Sequence, residues 1–345
     1  MTKLVALFSL KIRQATDFAS KLKKTPYYTG FLLVFWAFLR YNYPMNGKQN
    51  SLIHWFPGHM TKSLREMEGV LSVVDVVLYV LDARAPFSCL NPSFDNIVGG
   101  KPVIFVLNKS DLITPNALKQ VQNKMLQEGK TVVAINSTAS GASKAIMPLV
   151  EKLAKDKLEK YKAKGVKVPL RGMVIGVPNS GKSTLINNLC NKGKAVTGNK
   201  PGVTRGQQWV RATDYFELLD TPGTLYPKIT DQKIGLNLAY IGSIKTEVLD
   251  TLEIAGNLAE RLLEIAPNEL KARYNIVIEE IENESIALEQ TGDFPKTKQE
   301  LMLERVALAR GHIQKGGITD IEKASVALLD DFRKGRLGKV MLEQY

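Results

Sequence analysis

Three short segments place residue types at spacings suited to phosphate and metal chemistry. Gly176-Val-Pro-Asn179-Ser180-Gly181-Lys182-Ser183 follows an apolar strand, Met173–Gly176, and leads into a helix beginning at Ser183. Glycines in such a loop let backbone amides converge on phosphates, and the helix N-terminus adds positive potential. Lys182 would reach the outer phosphates and Ser183 would bind magnesium, with Asn179, Ser180, Gly181 and Thr184 lining the cradle. Asp220-Thr-Pro-Gly223 closes a second strand, Phe216–Leu219, 38 residues after Lys182. An Asp there holds magnesium directly or through water, and the Gly223 amide senses the terminal phosphate. Thr204, in Pro201-Gly-Val-Thr204-Arg205, lies between them in sequence and is positioned to complete the magnesium shell.

A fourth segment, Asn108-Lys109-Ser110-Asp111, reads a base. One carboxylate can accept from both the N1–H and the 2-amino group of guanine. Adenine offers neither donor, so binding it would leave a desolvated, unpaired charge. Ser137 and Thr138, after the short strand Thr131–Ile135, would supply the amide that meets guanine O6. GTP and GDP with Mg2+ are therefore the expected ligands.

The order of these parts is informative. A small GTPase of the Ras type runs phosphate loop, switch threonine, Asp-x-x-Gly, then base reader; here the base reader comes first. The base and phosphate loops are neighbours in space whichever strand leads, so joining the old termini, here through 151–169, leaves the sheet intact. The fold class expected is α/β, a circularly permuted Ras-like P-loop domain followed by an all-helical C-terminal domain. The Asp220 region then leads straight into the helices, a layout in which nucleotide state can move a domain.

Supporting elements agree. Val73–Leu81 (VVDVVLYVL) and Val103–Leu107 (VIFVL) are unbroken apolar runs, as buried parallel strands require. Each ends in a polar cluster, Asp82-Ala-Arg84 and Asn108–Asp111, where ligand groups sit in open α/β sheets. Pro115–Glu128 reads as a helix, and long amphipathic stretches follow residue 230. Thr319-Asp-Ile-Glu322 has capping-box spacing and opens a helix with Ile321, Ala324, Leu328 and Phe332 on one face. The domains read as 1–50, an atypical basic and apolar extension; 51–230, the nucleotide domain; and 231–345, a helical domain, which the family resemblance given below implies is RNA-contacting.

Composition limits the alternatives. The formal charge of +13 divides unevenly: 1–50 carries eight Lys/Arg against one Asp, 51–230 carries 24 basic against 13 acidic residues, and 231–345 carries 15 against 20. A basic body suits a polyanionic partner. With an acidic balance in the last third, RNA contact falls to local patches such as Arg333, Lys334, Arg336 and Lys339. The apolar run Phe31–Leu39 is nine residues, well short of the roughly 20 that cross a bilayer. The basic stretch before it is too long for a secretory signal. Met45 reads as the true start, with a transit or anchoring segment as the alternative. Two distant cysteines, Cys89 and Cys190, and three scattered histidines give no metal-site pattern.

Together these motifs resemble the circularly permuted ribosome biogenesis GTPase A family. The match runs over about 51–345 through Trp55-Phe-Pro-Gly-His59-Met60, Asp82-Ala-Arg84, Asn108–Asp111, the phosphate loop, Pro201–Thr204, Asp220–Gly223 and Phe332-Arg-Lys-Gly-Arg-Leu-Gly338. The resemblance implies a GTPase acting on a large ribosomal subunit precursor, with rRNA and ribosomal proteins as partners and hydrolysis stimulated by the subunit. It implies His59 as the catalytic group, on a turn before the first strand, and Asn179 as a potassium ligand. A catalytic Gln after Asp-x-x-Gly is missing: Thr224 and then Leu225 follow Gly223. The expected state is a cytoplasmic monomer with no integral membrane span. Two alternatives stand beside it: a GTP-gated RNA-binding scaffold with negligible turnover, and a mitochondrial matrix GTPase peripheral to the inner membrane.

Overall fold

A computed structural model of the chain describes residues 58–165, 168–190, 208–225, 229, 231–244, 250–291 and 296–344. The chain divides into compact units 1–51 and 52–345, and every described residue belongs to the second. Phe31–Leu39, Met45, Trp55 and Thr204 lie outside the described residues.

Six strands form one sheet: β1 Val76–Asp82, β2 Val103–Asn108, β3 Thr131–Ala134, β4 Leu170–Ile175, β5 Gln208–Thr213 and β6 Phe216–Asp220. Their spatial order is β3-β2-β1-β4-β6-β5, all parallel except the edge strand β5, which pairs antiparallel with β6. All seven residues of β1 are buried. That is why its sequence shows no alternation: a central parallel strand has no wet face. β5 carries no such signal, since its first two residues face solvent and Val210 alone of its six is buried.

Each sheet face has its own cover. Val76, Leu78 and Val80 pack with Ile146, Val150, Leu185 and Ile186 from the helices Ala142–Leu153 and Lys182–Leu189. Val77, Tyr79 and Leu81 face the other core, which continues without a break through Leu225 and Leu238 into Leu258, Val306 and Leu328. These last three lie on helices Thr251–Ile265, Lys298–Arg310 and Ile321–Arg333. Apolar burial of this kind contributes roughly 25 cal/mol per Å2, so the shared core binds the helices firmly to the sheet. Among the described residues beyond 230 the only strand-like pairing is an isolated bridge, Ile313 to Thr319.

The last helix begins one residue later than its expected cap. Asp320, not Thr319, accepts the Lys323 N–H at 3.0 Å, and its own N–H donates to His312 O at 2.8 Å beside the bridge of Ile313 and Thr319. Ala324, Leu328 and Phe332 are buried on one face as expected. A full capping box stands instead at Thr297 and Glu300.

The chain leaves β1 towards β2 and β3, and leaves β4 towards β6 on the other side. The direction of winding therefore reverses between β1 and β4. In open α/β sheets the ligand crevice lies outside the strand carboxyl ends at that reversal.

Candidate functional site

Five strands deliver polar residues to that edge. β1 ends at Asp82, β2 at Asn108, β3 just before Ser137, β4 just before the phosphate loop, and β6 at Asp220. Asn108 is the hinge of the assembly. Its amide nitrogen donates to Ser180 O at 2.8 Å and its amide oxygen accepts the Ser137 N–H at 3.0 Å. One buried side chain thus locks the base loop, the phosphate loop and the Ser137 loop together. Gly181 is required where they cross: its φ of 97° is left-handed, and a Cβ there would collide with the Asn108 amide.

Lys109 sits in a left-handed conformation (φ 58°) that turns its side chain back under the site. Its Nζ donates to Asp82 Oδ2 and to Asn179 O, both at 2.7 Å. Asp111 follows in a short 3-10 turn, Ser110–Leu112, and its carboxylate is exposed at the mouth. Thr138 stands on the rim with its N–H held by Asn136 Oδ1 at 2.9 Å, and Ser137 is buried beneath it.

At the phosphate end Lys182 is buried and folds over its own loop, donating to Val177 O at 2.9 Å and Gly176 O at 3.2 Å. Burial pushes its ammonium down to about 8, against the pull of nearby Asp220. Ser183 Oγ donates to Asp220 Oδ2 at 3.1 Å. A hydroxyl and a carboxylate so placed offer two hard oxygen donors, the kind magnesium takes beside phosphates and water. Gly223 presses on the loop so closely that a Cβ would fall 2.8 Å from Lys182 Nζ. Thr184 is half-buried in the first turn of the following helix. Asn179 donates from its amide nitrogen to Gly242 O at 2.6 Å.

His59 departs from its expected setting. Its backbone lies in the first turn of the helix Gly58–Val70 rather than in an open turn; its side chain is outside the described residues. Met60, next along, is buried, and its sulfur accepts the Leu225 N–H at 3.5 Å. The start of that helix therefore rests on the segment just after Gly223. Thr224 and Leu225, where a Gln would stand in other GTPases, are fully buried.

The expected basic patch is corrected too. Arg333 points inward, donating to Ala239 O at 2.8 Å and Tyr240 O at 3.1 Å, and so closes the end of the helix Gln232–Tyr240. Lys334 and Arg336 pair with Asp330 and Asp331 of their own helix. Lys339 is exposed. Exposed ion pairs are weak, so Lys334 can still exchange Asp330 for phosphate, whereas Arg336 also holds the buried Asp331 and Arg333 points inward.

Asp82 and Arg84, the polar cluster expected at the end of the first strand, form the buried centre of the site. Arg84 grips Asp82 with both edges, Nε to Oδ1 at 2.9 Å and Nη2 to Oδ2 at 2.7 Å. Its remaining nitrogen donates to Phe332 O at 2.9 Å and Arg333 O at 3.3 Å, and the guanidinium stacks 5.0 Å from the Phe332 ring. The two cations beside Asp82, Arg84 and Lys109, outweigh its burial and hold its carboxyl far below the usual range. Asn188 was not foreseen. It donates to Ser137 O and Ala139 O, and neither its type nor its spacing marks that role.

Comparison with known proteins agrees with this geometry. Residues 171–280 match the family described as 50S ribosome-binding GTPase. A ribosome biogenesis GTPase A from Bacillus cereus is 38% identical over 85% of this chain and 94% of its own length. A mitochondrial ribosome-associated GTPase 1 from Xenopus tropicalis is 33% identical over 86% and 96%. Among solved structures, GNP-bound YlqF from T. maritima is 28% identical with a TM-score of 0.54, covering 82% of this chain and 98% of that one.

Proposed function

The chain belongs to the ribosome biogenesis GTPase A family, and from that premise we propose that it binds a maturing large ribosomal subunit with GTP in place and leaves on hydrolysis. It is a GTPase of ribosome assembly with a guanine-nucleotide site in a permuted Ras-like domain. The observation that carries the proposal is the direct fastening of the phosphate loop to the helical part. Asn179 holds Gly242, and Ser243 Oγ donates to Pro178 O at 2.7 Å. A change at the phosphates therefore reaches the C-terminal helices through two bonds, giving nucleotide state a route to a surface that meets a partner.

In this reading Asp111 selects guanine, Thr138 faces O6, and Lys182 with the loop amides holds the phosphates. Ser183 and Asp220, with Thr204 as third ligand, would hold a magnesium ion, which would supply charge neutralisation at the phosphates. A potassium ion at Asn179 would be met by the amide oxygen while the nitrogen stays on Gly242. His59 orients the attacking water; the rest of its helix start on Leu225 is what supports that role. Partners are the subunit precursor, its rRNA and its proteins, met by a monomer in the cytoplasm.

The test is cosedimentation with large-subunit particles in GDP or a non-hydrolysable GTP analogue, read beside phosphate release with and without particles. The proposal expects comigration with the analogue and faster release with particles. Equal comigration in both nucleotides, with unchanged release, would count against it.

A further inference from the structure

The segment after the last helix is fastened to the base-reading loop and to the loop that follows β1. Val340 N–H donates to Leu112 O at 3.0 Å and Leu342 N–H to Arg84 O at 2.9 Å. The Glu343 carboxylate accepts the N–H groups of Phe87 and Ser88 at 2.9 and 2.7 Å and the Ser88 hydroxyl at 2.5 Å. Gly335, at φ 69°, lies so near that a Cβ would come 2.5 Å from Leu112 Cδ2. Arg84 completes the grip, holding the Phe332 and Arg333 carbonyls on one side and Asp82, hence Lys109, on the other. Lys109 and Leu112 bracket Asp111, so both flanks of the base-reading carboxylate hang on residues 332–343.

We propose that residues 332–343 are a strap that positions Asp111 against the base and so sets guanine specificity. The proposal rests on Asn108–Asp111 being the guanine reader. Asp111 is exposed on a single short turn, and hydrogen bonds weaken steeply with small errors of distance and angle. The inner end of the loop is fixed by Asn108 on the phosphate loop, but its outer end, Leu112, takes its position from Gly335 and Val340. The expected consequence is selective: a displaced strap costs the contact to the 2-amino group, while phosphate contacts stay.

Inosine diphosphate lacks that amino group and keeps the rest of the purine edge, so the ratio of GDP to IDP affinity reads the contact alone. In the full chain it should be roughly 10- to 100-fold, the contribution of one charge-assisted hydrogen bond. Gly335→Ala, which drives a methyl into Leu112, should lower the ratio by about threefold or more. Gly316→Ala adds comparable left-handed strain (φ 93°) in open space and should lower the melting temperature with the ratio unchanged. If Gly335→Ala fails to fold, Glu343→Gln loosens the strap without adding bulk and should lower the ratio in the same sense. Asp111→Asn should erase it. An unchanged ratio in the strap variants beside its loss in Asp111→Asn overturns the strap and leaves the base reader standing. A ratio retained in Asp111→Asn removes the reader and the strap with it. Equal losses in Gly316→Ala and Gly335→Ala would reduce the effect to general destabilisation and also overturn the strap.

Discussion

The two ends of the nucleotide site are supported in opposite ways. At the phosphate end, Lys182 bonds to carbonyls five and six residues before it, in a loop between one strand and one helix. At the base end, Lys109 hangs on Asp82, Asp82 on Arg84, and Arg84 on carbonyls 248 and 249 residues away. The phosphate lysine is held within its own loop, and that loop meets the helical part through Asn179 and Pro178 at its outer side. The base end is completed only when the C-terminal segment docks. Specificity for the base is thereby tied to the helical part, while grip on the phosphates belongs to the loop.

That difference can be tested from several sides, and the largest effect is expected at the phosphate end. His59→Ala should retain GTP affinity and particle binding but lose roughly 10²–10⁴-fold in particle-stimulated phosphate release. Full stimulated release in that variant would assign the water-orienting role to another group.

Next comes the base end. Arg84→Gln removes one partner of a buried ion pair and leaves Asp82 with Lys109 alone. Urea unfolding should show a loss of about 3–5 kcal/mol, as for other broken buried pairs. A loss like that of a surface pair would mean that Arg84 does not carry the base end.

Asp111→Asn should weaken GTP binding by roughly 10²-fold and favour xanthosine nucleotides, whose 2-oxo group accepts where guanine donates. Competition titration of the two nucleotides reads this, and an unaltered GTP preference would contradict it.

The smallest effect is in pH. Lys182 is held at about 8 in the free protein, and bound phosphates favour its charged form. Binding thus prefers the protonated lysine. Affinity should be level below pH 8 and fall above it, by up to about tenfold per pH unit, until the higher pKa of the complex is reached. Proton uptake on binding at pH 9, seen as a buffer-dependent calorimetric heat, checks the sign.

Legibility in the sequence follows the same division. The phosphate loop, Asp220 and Asn108–Asp111 could be read because their chemistry is written in contiguous residues at fixed spacing. The central strands could be read because burial on both faces leaves apolar runs. β5 could not, since an edge strand with Trp209 and Arg211 facing outward carries little hydrophobic pattern. Arg333 reads as a surface cation because its neighbours are basic, and the packed fold shows it closing another helix. The hold of Arg84 on the Phe332 and Arg333 carbonyls, and that of Glu343 on Phe87 and Ser88, are equally opaque, since no local spacing encodes contacts across 248 to 256 residues of chain.

The most direct test of the central claim, that the base end and the C-terminal segment are one mechanical unit, is amide hydrogen exchange at Val340 and Leu342 with and without GDP. Binding should tighten the base-reading loop at Leu112 and, through Lys109 and Asp82, the Arg84 segment, and so slow exchange of both N–H groups, while Gly316 and Gly317, in the turn between Ile313 and Thr319, keep theirs. Exchange at Val340 and Leu342 indifferent to GDP would contradict the account.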